Sequence, residues 1–204
     1  MKVNTNTWNK IRYTIYAPFY DILVGYFTNT RKKSIQLSEI KPGDEVLLLG
    51  AGTGLDLNVI PKGSKITAID ITPAMINKVK KRNQKLNHTL NAIVMDGQKL
   101  QFSDNSFDKI ILHFVLAVIP DPVSCIKEAE RVLKMGGNIV VLDKFLPKNK
   151  KISFVRRLIN PIANLFFTDI TRSFESIINV TGLKIVSDTD AHFNGNFRVI
   201  RLVK

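Results

Sequence analysis

The chain has 204 residues, of which 45% are hydrophobic, and this suits one α/β domain with a full core. The single cysteine, Cys125, excludes a disulfide framework, no metal site is predicted, and a reducing cytoplasm is the expected compartment. Thirty Lys and Arg against 17 Asp and Glu give a formal net charge of +13, which predicts attraction to nucleic acid or to an acidic bilayer unless it reflects composition alone. No apolar run reaches the roughly 18 residues of a membrane span, and residues 1–30 lack the pattern of a signal peptide.

The N-terminal segment is aromatic and helical in pattern. Residues 7–27 have the apolar spacing of a helix that is interrupted at Pro18, because proline ends or kinks a helix. A further helix is expected up to about Ile40. This segment would either pack across the edge of a sheet or form a lid and a surface that meets lipid. We therefore divide the chain into a helical lid or membrane-contact segment, 1–40, and a main domain, 41–204.

The stretch that organises the main domain is residues 46–55, an apolar run followed by Gly50-Ala51-Gly52-Thr53-Gly54. The run predicts a strand buried on both faces, and the glycines predict a tight turn whose backbone N–H groups lie against a ligand. Asp70 ends the next apolar run, about 20 residues later, where a carboxylate accepts hydrogen bonds from ribose hydroxyls. A tight turn without a ligand is the alternative. A dinucleotide is disfavoured because Leu55 stands where a third, spaced glycine is needed.

The rest of the pattern alternates helices and strands. Thr72 and Pro73 predict the N-cap and first residue of a helix. Strands are expected at 90–95, 109–114 and 138–142, with a helix at 123–133 that a left-handed glycine at 136–137 stops. A helix near 171–181 and strands at 183–187 and 197–202 complete the sheet. The fold class is thus α/β, a single domain with a Rossmann-like seven-stranded sheet flanked by helices.

Two polar residues end neighbouring strands of this predicted sheet. His113 ends the fourth strand and Asp143 ends the fifth, and the strand ends of an open α/β sheet form its ligand crevice. Both are candidates for proton transfer, and a structural role for His113 is the alternative.

Residues 148–167 combine basic residues with apolar residues at helical spacing. Such a helix is typical of a membrane-surface or partner-binding element, and a crossover helix with a solvated basic face is the alternative. The predicted membrane or substrate contacts are Lys144, Lys150, Lys151, Arg156 and Arg157.

The glycine motif with Asp70, the stretch 102–108 and the stretch 131–137 together resemble class I S-adenosylmethionine-dependent methyltransferases. The resemblance covers most of the chain. Within the class, Tyr20-Asp21, residues 118–122 and the basic helix are similar to small bacterial phosphatidylethanolamine N-methyltransferases. Leu48 departs from the pattern, since the family usually has an acidic residue there.

This resemblance implies S-adenosylmethionine as the cofactor, S-adenosylhomocysteine as its product, and residues 41–204 as the methyltransferase domain. It implies that His113, Tyr20 and Asp143 are catalytic. The residues implied to bind the cofactor are Tyr16, Gly50, Ala51, Gly52, Thr53, Gly54, Asp70, Ile71, Met75, Asp96, Gly97, Gln98 and His113.

The acceptor implied by the resemblance is a membrane lipid amine, converted toward phosphatidylcholine, at an anionic membrane surface. The protein would be cytoplasmic, either free or peripheral on the inner face of the membrane. A quinone-ring C-methyltransferase, a soluble small-molecule methyltransferase and a non-catalytic lipid- or cofactor-binding protein are the alternatives. Nucleic acid is disfavoured because residues 113–116 lack the motif of nucleobase methyltransferases; the oligomeric state is left open.

Overall fold

The computed structural model describes residues 4–148, 152–166, 168–192 and 195–204, except the side chains of Leu23 and Val155. The α-helices are α1 (Asn6–Tyr16), α2 (Tyr20–Val24), α3 (Thr28–Leu37), α4 (Pro73–Leu86), α5 (Pro122–Val132), α6 (Phe154–Phe166) and α7 (Phe174–Ile178). The strands are β1 (Glu45–Leu49), β2 (Lys65–Asp70), β3 (Thr89–Val94), β4 (Phe107–His113), β5 (Leu133–Lys144), β6 (Lys184–His192) and β7 (Phe197–Val203). Short 3₁₀ turns cover Gly25–Phe27 and Leu55–Asn58.

In the described part of the chain, these strands form one seven-stranded sheet in the order β3-β2-β1-β4-β5-β7-β6. The first five strands are parallel, and β7 runs antiparallel between β5 and β6. The strand order reverses between β1 and β4. In open α/β sheets a crevice opens at that point, beyond the carboxyl ends of the strands. This architecture confirms the predicted fold class.

Helices cover both faces of the sheet, and β1 shows how one strand supplies both cores. Leu47 and Leu49 pack in the cluster that includes α5 and α7. Val46 and Leu48 alternate with them and pack in the cluster that includes Ile35 of α3. Successive side chains of a strand point to opposite faces, so a continuous apolar run is what a strand covered on both sides requires. Leu48, which departs from the family pattern, is one of these core residues.

The N-terminal helices are broken where proline predicted a break. The helix α1 ends at Tyr16, and α2 begins at Tyr20 after a turn through Pro18. Side chains of α1 hold the end of α6, since the Trp8 indole donates to the Leu165 carbonyl at 2.8 Å and the Tyr16 hydroxyl to the Phe166 carbonyl at 2.8 Å. Carbonyl groups in the last turn of a helix lack hydrogen-bond partners within that helix, so the side chains of α1 cap the C-terminal end of α6.

Several local predictions differ from the structure in detail. The helix α5 is not stopped by a glycine, because Leu133 is already extended and pairs with Phe107; Gly136, at φ +76°, lies inside the strand that begins there. The fifth strand therefore spans 133–144 rather than 138–142. Thr72 occupies the N-cap of α4, but its side chain makes no capping bond. The described part of the basic segment forms a helix at Phe154–Phe166, and residues 149–151 and 167 lie outside the described residues. The helix near 171–181 is shorter than expected, at Phe174–Ile178.

No helix in the described ranges is both long enough and apolar enough to cross a bilayer.

Candidate active site

The turn after β1 accepts only glycine at its first position. Gly50 has φ +72°, and a Cβ there would lie 2.4 Å from Cγ2 of Val115. Gly52 also has a positive φ, of +54°, and its bare backbone lies under the ring of Tyr20. The predicted glycine turn is therefore present, and it leaves backbone atoms open to a cleft at the end of β1.

Carboxylates end β2 and follow β3. Asp70 accepts hydrogen bonds from the amides of Gly52 at 2.9 Å and Thr72 at 2.8 Å. Burial raises the pKa of Asp70, and these two hydrogen bonds oppose the rise. Asp96 accepts from the side chain of Asn6 at 2.6 Å and from the amide of Gln98 at 2.9 Å. Each carboxylate is thus held rigidly at the crevice and retains lone pairs for a ligand.

A cleft with about 640 Å³ of open space lies above the ends of β1, β2 and β4, where ligands bind in open α/β sheets. Of the residues predicted to bind the cofactor, it brings together Gly50, Gly52, Asp70, Ile71, Met75, Asp96 and Gly97. Its other lining residues are Asn6, Asn9, Tyr13, Tyr20, Leu49, Ile69, Met95, Phe114, Val115, Val118, Ile119 and Pro120. We call this space the cofactor cavity.

Some predicted cofactor contacts do not line this cavity because they support it instead. Ala51 is buried, and Gly54 begins the 3₁₀ turn with a left-handed φ of +79°. The Thr53 hydroxyl donates to Asp21, and the Gln98 side chain donates to Asp96 and Asn6. Tyr16 faces α6, as described above.

His113, predicted to be catalytic and to bind the cofactor, does not line the cofactor cavity. Its Nδ1 lies 2.9 Å from Oδ1 of Asp56, and its Nε2 lies 2.9 Å from the hydroxyl of Ser34. Arg31 donates to the same Asp56 oxygen at 2.8 Å. Burial would raise the pKa of Asp56, but Arg31 and His113 hold it well below its usual range. The imidazole is buried with both nitrogens engaged, which favours the structural alternative for His113.

A second cavity, of about 930 Å³, adjoins the first. We call it the acceptor cavity. The two spaces share Tyr13, Tyr20, Phe114 and Val118, which therefore form the junction between them. The remaining lining residues are Tyr16, Val24, Phe27, Asp143, Lys144, Thr168 and Phe197.

Asp143 is the carboxylate of the acceptor cavity. Its Oδ2 accepts from the amide of Ala117 at 2.9 Å, and its Oδ1 accepts from the amide of Lys144 at 2.7 Å. Burial raises the pKa of Asp143 to about 6, although these hydrogen bonds and the nearby Arg172 lower it. At neutral pH the group is therefore mainly a carboxylate, and its affinity for a proton is higher than that of an exposed aspartate.

Aromatic rings line the junction. The Tyr13 and Tyr20 rings meet edge to face, with centroids 6.1 Å apart. Burial raises the pKa of Tyr20 to about 12 and raises that of Tyr13 as well, so both hydroxyls keep their protons at neutral pH. Tyr20, predicted to be catalytic, is placed to contact ligands in both cavities but is not a base.

Phe114, which directly follows β4, has a strained backbone conformation. Its φ of +61° lies in the left-handed region, which is rare for a bulky residue. The amide of Phe114 donates to the Leu142 carbonyl at 2.8 Å, and the ring packs 5.0 Å from Phe27 and 4.9 Å from the Arg31 guanidinium. Such strain is found most often at functional sites, and here it directs the ring into the junction.

The comparisons with known proteins agree with this geometry. A family model described as a methyltransferase domain matches residues 47–141. A demethylmenaquinone methyltransferase from Lactobacillus johnsonii is 30% identical over 198 residues, which cover 89% of this chain and 76% of that protein. The chain belongs to the S-adenosylmethionine-dependent methyltransferases.

The methyltransferase is similar to enzymes of two kinds. A phosphatidylethanolamine N-methyltransferase from Cereibacter sphaeroides is 24% identical over 184 residues, covering 89% of this chain and 91% of that protein. The chain spans about half the length of another relative, a demethylmenaquinone methyltransferase from Corynebacterium glutamicum, of which it covers 49% at 35% identity. A solved structure of a SAM dependent methyltransferase from Aquifex aeolicus matches the fold with a TM-score of 0.62 at 18% identity, over 85% of this chain and 89% of that chain.

The cofactor cavity of the methyltransferase fits S-adenosylmethionine chemically. Open backbone at Gly50 and Gly52, two anchored carboxylates and apolar walls suit a ligand with a sugar, a flat base and an amino-acid chain. The sequence predicted the glycines and carboxylates because they lie in one contiguous motif and at two strand ends.

Sequence reasoning missed several lining residues of the methyltransferase. Asn6, Asn9 and Tyr13 reach the cofactor cavity from α1, a segment predicted only as a lid. Asp21 was seen as part of a motif, but its bonds to Thr53 and Arg82, which hold α2 against the glycine turn, were not. The signal available for Tyr13 was its place in an aromatic-rich helix.

The predicted basic contacts have different positions. Lys144 lies on the wall of the acceptor cavity, and Arg156 of α6 lies beside it in a smaller cavity. Arg157 is exposed on α6. Lys150 and Lys151 lie outside the described residues.

Proposed function

We propose that the methyltransferase acts on a membrane lipid amine, methylating phosphatidylethanolamine toward phosphatidylcholine. The observation that carries the membrane acceptor is a pair of exposed apolar stripes, one on α1 and α2, which line the acceptor cavity, and one on α6, whose end is bonded to α1. The α1–α2 stripe consists of Ile11, Ile15, Phe19 and Ile22, which are between 49% and 80% exposed. The α6 stripe consists of Phe154, Leu158, Ile162 and Phe166, which are between 47% and 78% exposed.

The two stripes have the spacing and surroundings of an interfacial surface. Residues of the α6 stripe recur every fourth position and so share one face of the helix. The stripes lie on helices that Trp8 and Tyr16 join directly. Exposed Lys10 and Arg157 accompany them, and apolar residues with nearby cations are what an anionic bilayer attracts. The segment 1–40 would thus be both a lid and a membrane contact.

We assign cofactor binding to the polar groups of the cofactor cavity. Asp70 would accept hydrogen bonds from the ribose hydroxyls, and Asp96 would accept one from the adenine amino group. Met75 and Ile71 would supply apolar walls, and Tyr20 would close the cavity over Gly52. When bound, S-adenosylmethionine supplies a methyl group already activated by a sulfonium.

The acceptor side supplies alignment and proton removal. An amine must lose a proton before it can attack, and the free lone pairs of Asp143 can accept that proton inside the acceptor cavity. The faces of Tyr13, Tyr20 and Phe114 are attractive to cations and so favour positive charge at the junction. Holding the acceptor nitrogen at this junction removes entropy from the reaction, which is the main task for an activated methyl donor.

Quinone-ring C-methylation is the second candidate. Phe27, Phe114 and Phe197 form a cluster, with the Phe27 and Phe197 centroids 4.8 Å apart, and could pack against a planar ring. The similarity to demethylmenaquinone methyltransferases supports this candidate. Both acceptors are reached from a membrane, so the stripes do not separate them.

The deciding experiment is methyl transfer from labelled S-adenosylmethionine into a total bacterial lipid extract, resolved by thin-layer chromatography. Label in mono-, di- or trimethylated phosphatidylethanolamine is the expected result. Label in a fast-running neutral spot would select the quinone, and label only in added soluble amines would overturn a membrane acceptor.

The membrane contact is tested by co-sedimentation with anionic vesicles. Ile15→Asn with Ile22→Asn, and Leu158→Asn with Ile162→Asn, should each reduce the partition coefficient at least tenfold, because a buried aliphatic side chain contributes about 1.5–3 kcal/mol. The matched control is Met135→Asn with Val186→Asn, which changes exposed apolar residues elsewhere. Equal losses in all three pairs, or no loss in the first two, would contradict the proposal.

A further inference from the structure

A small cavity beside the acceptor cavity is lined by two cations and no acidic side chain among the described residues. Its lining is Lys144, Arg156, Ile170, Asn196 and Phe197, and its volume is about 580 Å³. Lys144 and Phe197 belong to both cavities, so the two spaces are neighbours. Lys144 ends β5 directly after Asp143.

The described partners of these cations are neutral. The Arg156 guanidinium donates to the side-chain oxygen of Asn196 and, at 3.5 Å, to the Ile170 carbonyl. Within the described ranges, neither cation has a carboxylate oxygen within 4.0 Å. Other arginines do have such a partner, namely Arg31, Arg82, Arg131, Arg172, Arg198 and Arg201.

The surroundings of Lys144 disfavour the charged form of its side chain. Partial burial lowers the pKa of Lys144, the proximity of Arg156 lowers it further, and Asp143 opposes both effects. Two like charges that share a pocket repel each other, and an anion between them relieves both the repulsion and the loss of hydration.

We propose that Lys144 and Arg156 form a subsite for a phosphodiester, the group that follows the amine in the acceptor. This inference rests on the proposed function, because it orients the same acceptor. The ammonium of a zwitterionic head group would lie toward Asp143, and its phosphate toward Lys144 and Arg156. Opposite charges on adjacent residues of β5 thus match the two opposite charges of the head group. A quinone has no phosphate at this position, so the subsite also discriminates between the two candidate acceptors.

The test is a binding measurement on the full-length protein saturated with S-adenosylhomocysteine. The probe is dihexanoyl-phosphatidylethanolamine below its micelle concentration, titrated by calorimetry. Lys144→Gln and Arg156→Gln should each raise the dissociation constant roughly tenfold or more, since each removes a charge-assisted hydrogen bond to the phosphate. Lys144→Arg and Arg156→Lys should retain most of the binding, because they keep the charge.

The control for loss of net charge is Lys127→Gln with Lys184→Gln, two exposed lysines on α5 and β6. This pair should bind the probe as the unchanged protein does. Affinity unaffected by Lys144→Gln and Arg156→Gln, or lowered equally in the control pair, would overturn the subsite. Thermal unfolding of each variant identifies any loss that comes from misfolding.

Further probes separate the sources of the phosphate and the two proposals. Inorganic phosphate binding as tightly as the short-chain lipid, with the same dependence on Arg156, would overturn the lipid assignment. Dihexanoylglycerol, which lacks the phosphate, should bind equally to all variants. If the lipid probe requires Lys144 and Arg156 but phosphatidylethanolamine is not methylated, the subsite stands and the proposed function fails.

Discussion

The cofactor cavity and the acceptor cavity are built in different ways. Much of the cofactor cavity comes from short stretches that follow consecutive parallel strands, with positions set by glycine backbone and by carboxylates fixed to nearby amides. The acceptor cavity takes Tyr13, Phe114, Asp143, Thr168 and Phe197 from five distant parts of the chain. The first is therefore defined by local backbone geometry, and the second by which side chains tertiary packing brings together.

This difference predicts that single substitutions separate cofactor binding from methyl transfer. Substitutions in the acceptor cavity should leave cofactor affinity intact, whereas substitutions at the strand ends of β2 should not. The substitutions of Asp143, Asp70 and Asp21 below test this separation, and that of Arg31 tests the stability of the fold that carries both cavities.

The largest expected effect on catalysis is at Asp143. Asp143→Asn should lower the rate of methyl transfer by about 10²–10⁴-fold, the usual contribution of a positioned general base. Cofactor affinity, measured by calorimetry, should change less than about twofold. The substitution removes none of the hydrogen bonds between charged groups and the cofactor, each of which is worth about 1.5–3 kcal/mol. Asp190→Asn, at an exposed position of β6, is the control and should retain full activity. A similar loss of cofactor binding in Asp143→Asn would contradict the separation.

The same substitution should remove a pH dependence. With a raised pKa of about 6, Asp143 binds a proton as the pH falls through that value and then cannot accept one from the amine. The rate should therefore decline on the acid side of about pH 6 in the unchanged protein. If the pH–rate profile of Asp143→Asn showed the same decline at acid pH, that decline would belong to a group other than Asp143.

The next effect is on stability, at the ion cluster below both cavities. Arg31→Met should lower the free energy of unfolding by about 3–5 kcal/mol, because it leaves the Asp56 charge buried without its cation. Denaturant titration measures this change. Lys33→Met, on the exposed side of the same helix, is the control.

The pH dependence of unfolding checks the cause of that loss. The lowered pKa of Asp56 in the folded state stabilises the protein above the unfolded-state value of about 4, and this contribution is lost as the pH falls further. Arg31→Met should reduce this acid dependence. An equal slope in both proteins would mean that Arg31 does not stabilise the Asp56 carboxylate.

A smaller effect is expected at the cofactor. Asp70→Ala should raise the dissociation constant for S-adenosylmethionine roughly 10- to 100-fold, through loss of charge-assisted hydrogen bonds worth about 1.5–3 kcal/mol. Calorimetry with S-adenosylhomocysteine measures the same contact without turnover. Asp44→Ala, in the exposed turn before β1, should bind normally. Unchanged affinity in Asp70→Ala would contradict the assignment of Asp70 to the ribose hydroxyls of the cofactor.

The smallest effect is expected for the contacts of Asp21 that hold α2 against the glycine turn. Asp21→Asn weakens the contacts to Thr53 and Arg82 that hold Tyr20 over Gly52. Because these groups are partly exposed, we expect only about a two- to fivefold rise in the KM for S-adenosylmethionine, equivalent to less than about 1 kcal/mol. If Asp21→Asn instead lowered only the affinity for the acceptor, the contacts of Asp21 would support the acceptor cavity and not the cofactor cavity.

The sequence by itself determined the fold class, the break at Pro18, the glycine turn and the carboxylates at Asp70 and Asp96. These features depend on local rules, namely strand patterning, backbone freedom at glycine, and the crevice beyond parallel strand ends. The comparisons then confirmed the methyltransferase family and its cofactor. The boundary near 133 was missed because pairing of Leu133 with Phe107 of β4 outweighs the local turn signal at Gly136 and Gly137.

Only the tertiary structure decided which polar strand end faces a ligand space. His113 and Asp143 end adjacent parallel strands, and the sequence placed both in the crevice. The side chain of His113 meets Ser34 and Asp56 on the α3 side of the sheet, whereas that of Asp143 lies in the acceptor cavity. The physical reason is the register of the sheet: His113 of β4 pairs with Leu142 of β5, so Asp143, one residue further along, points to the opposite face. This register is a property of the strand pairing and is not visible in either segment alone.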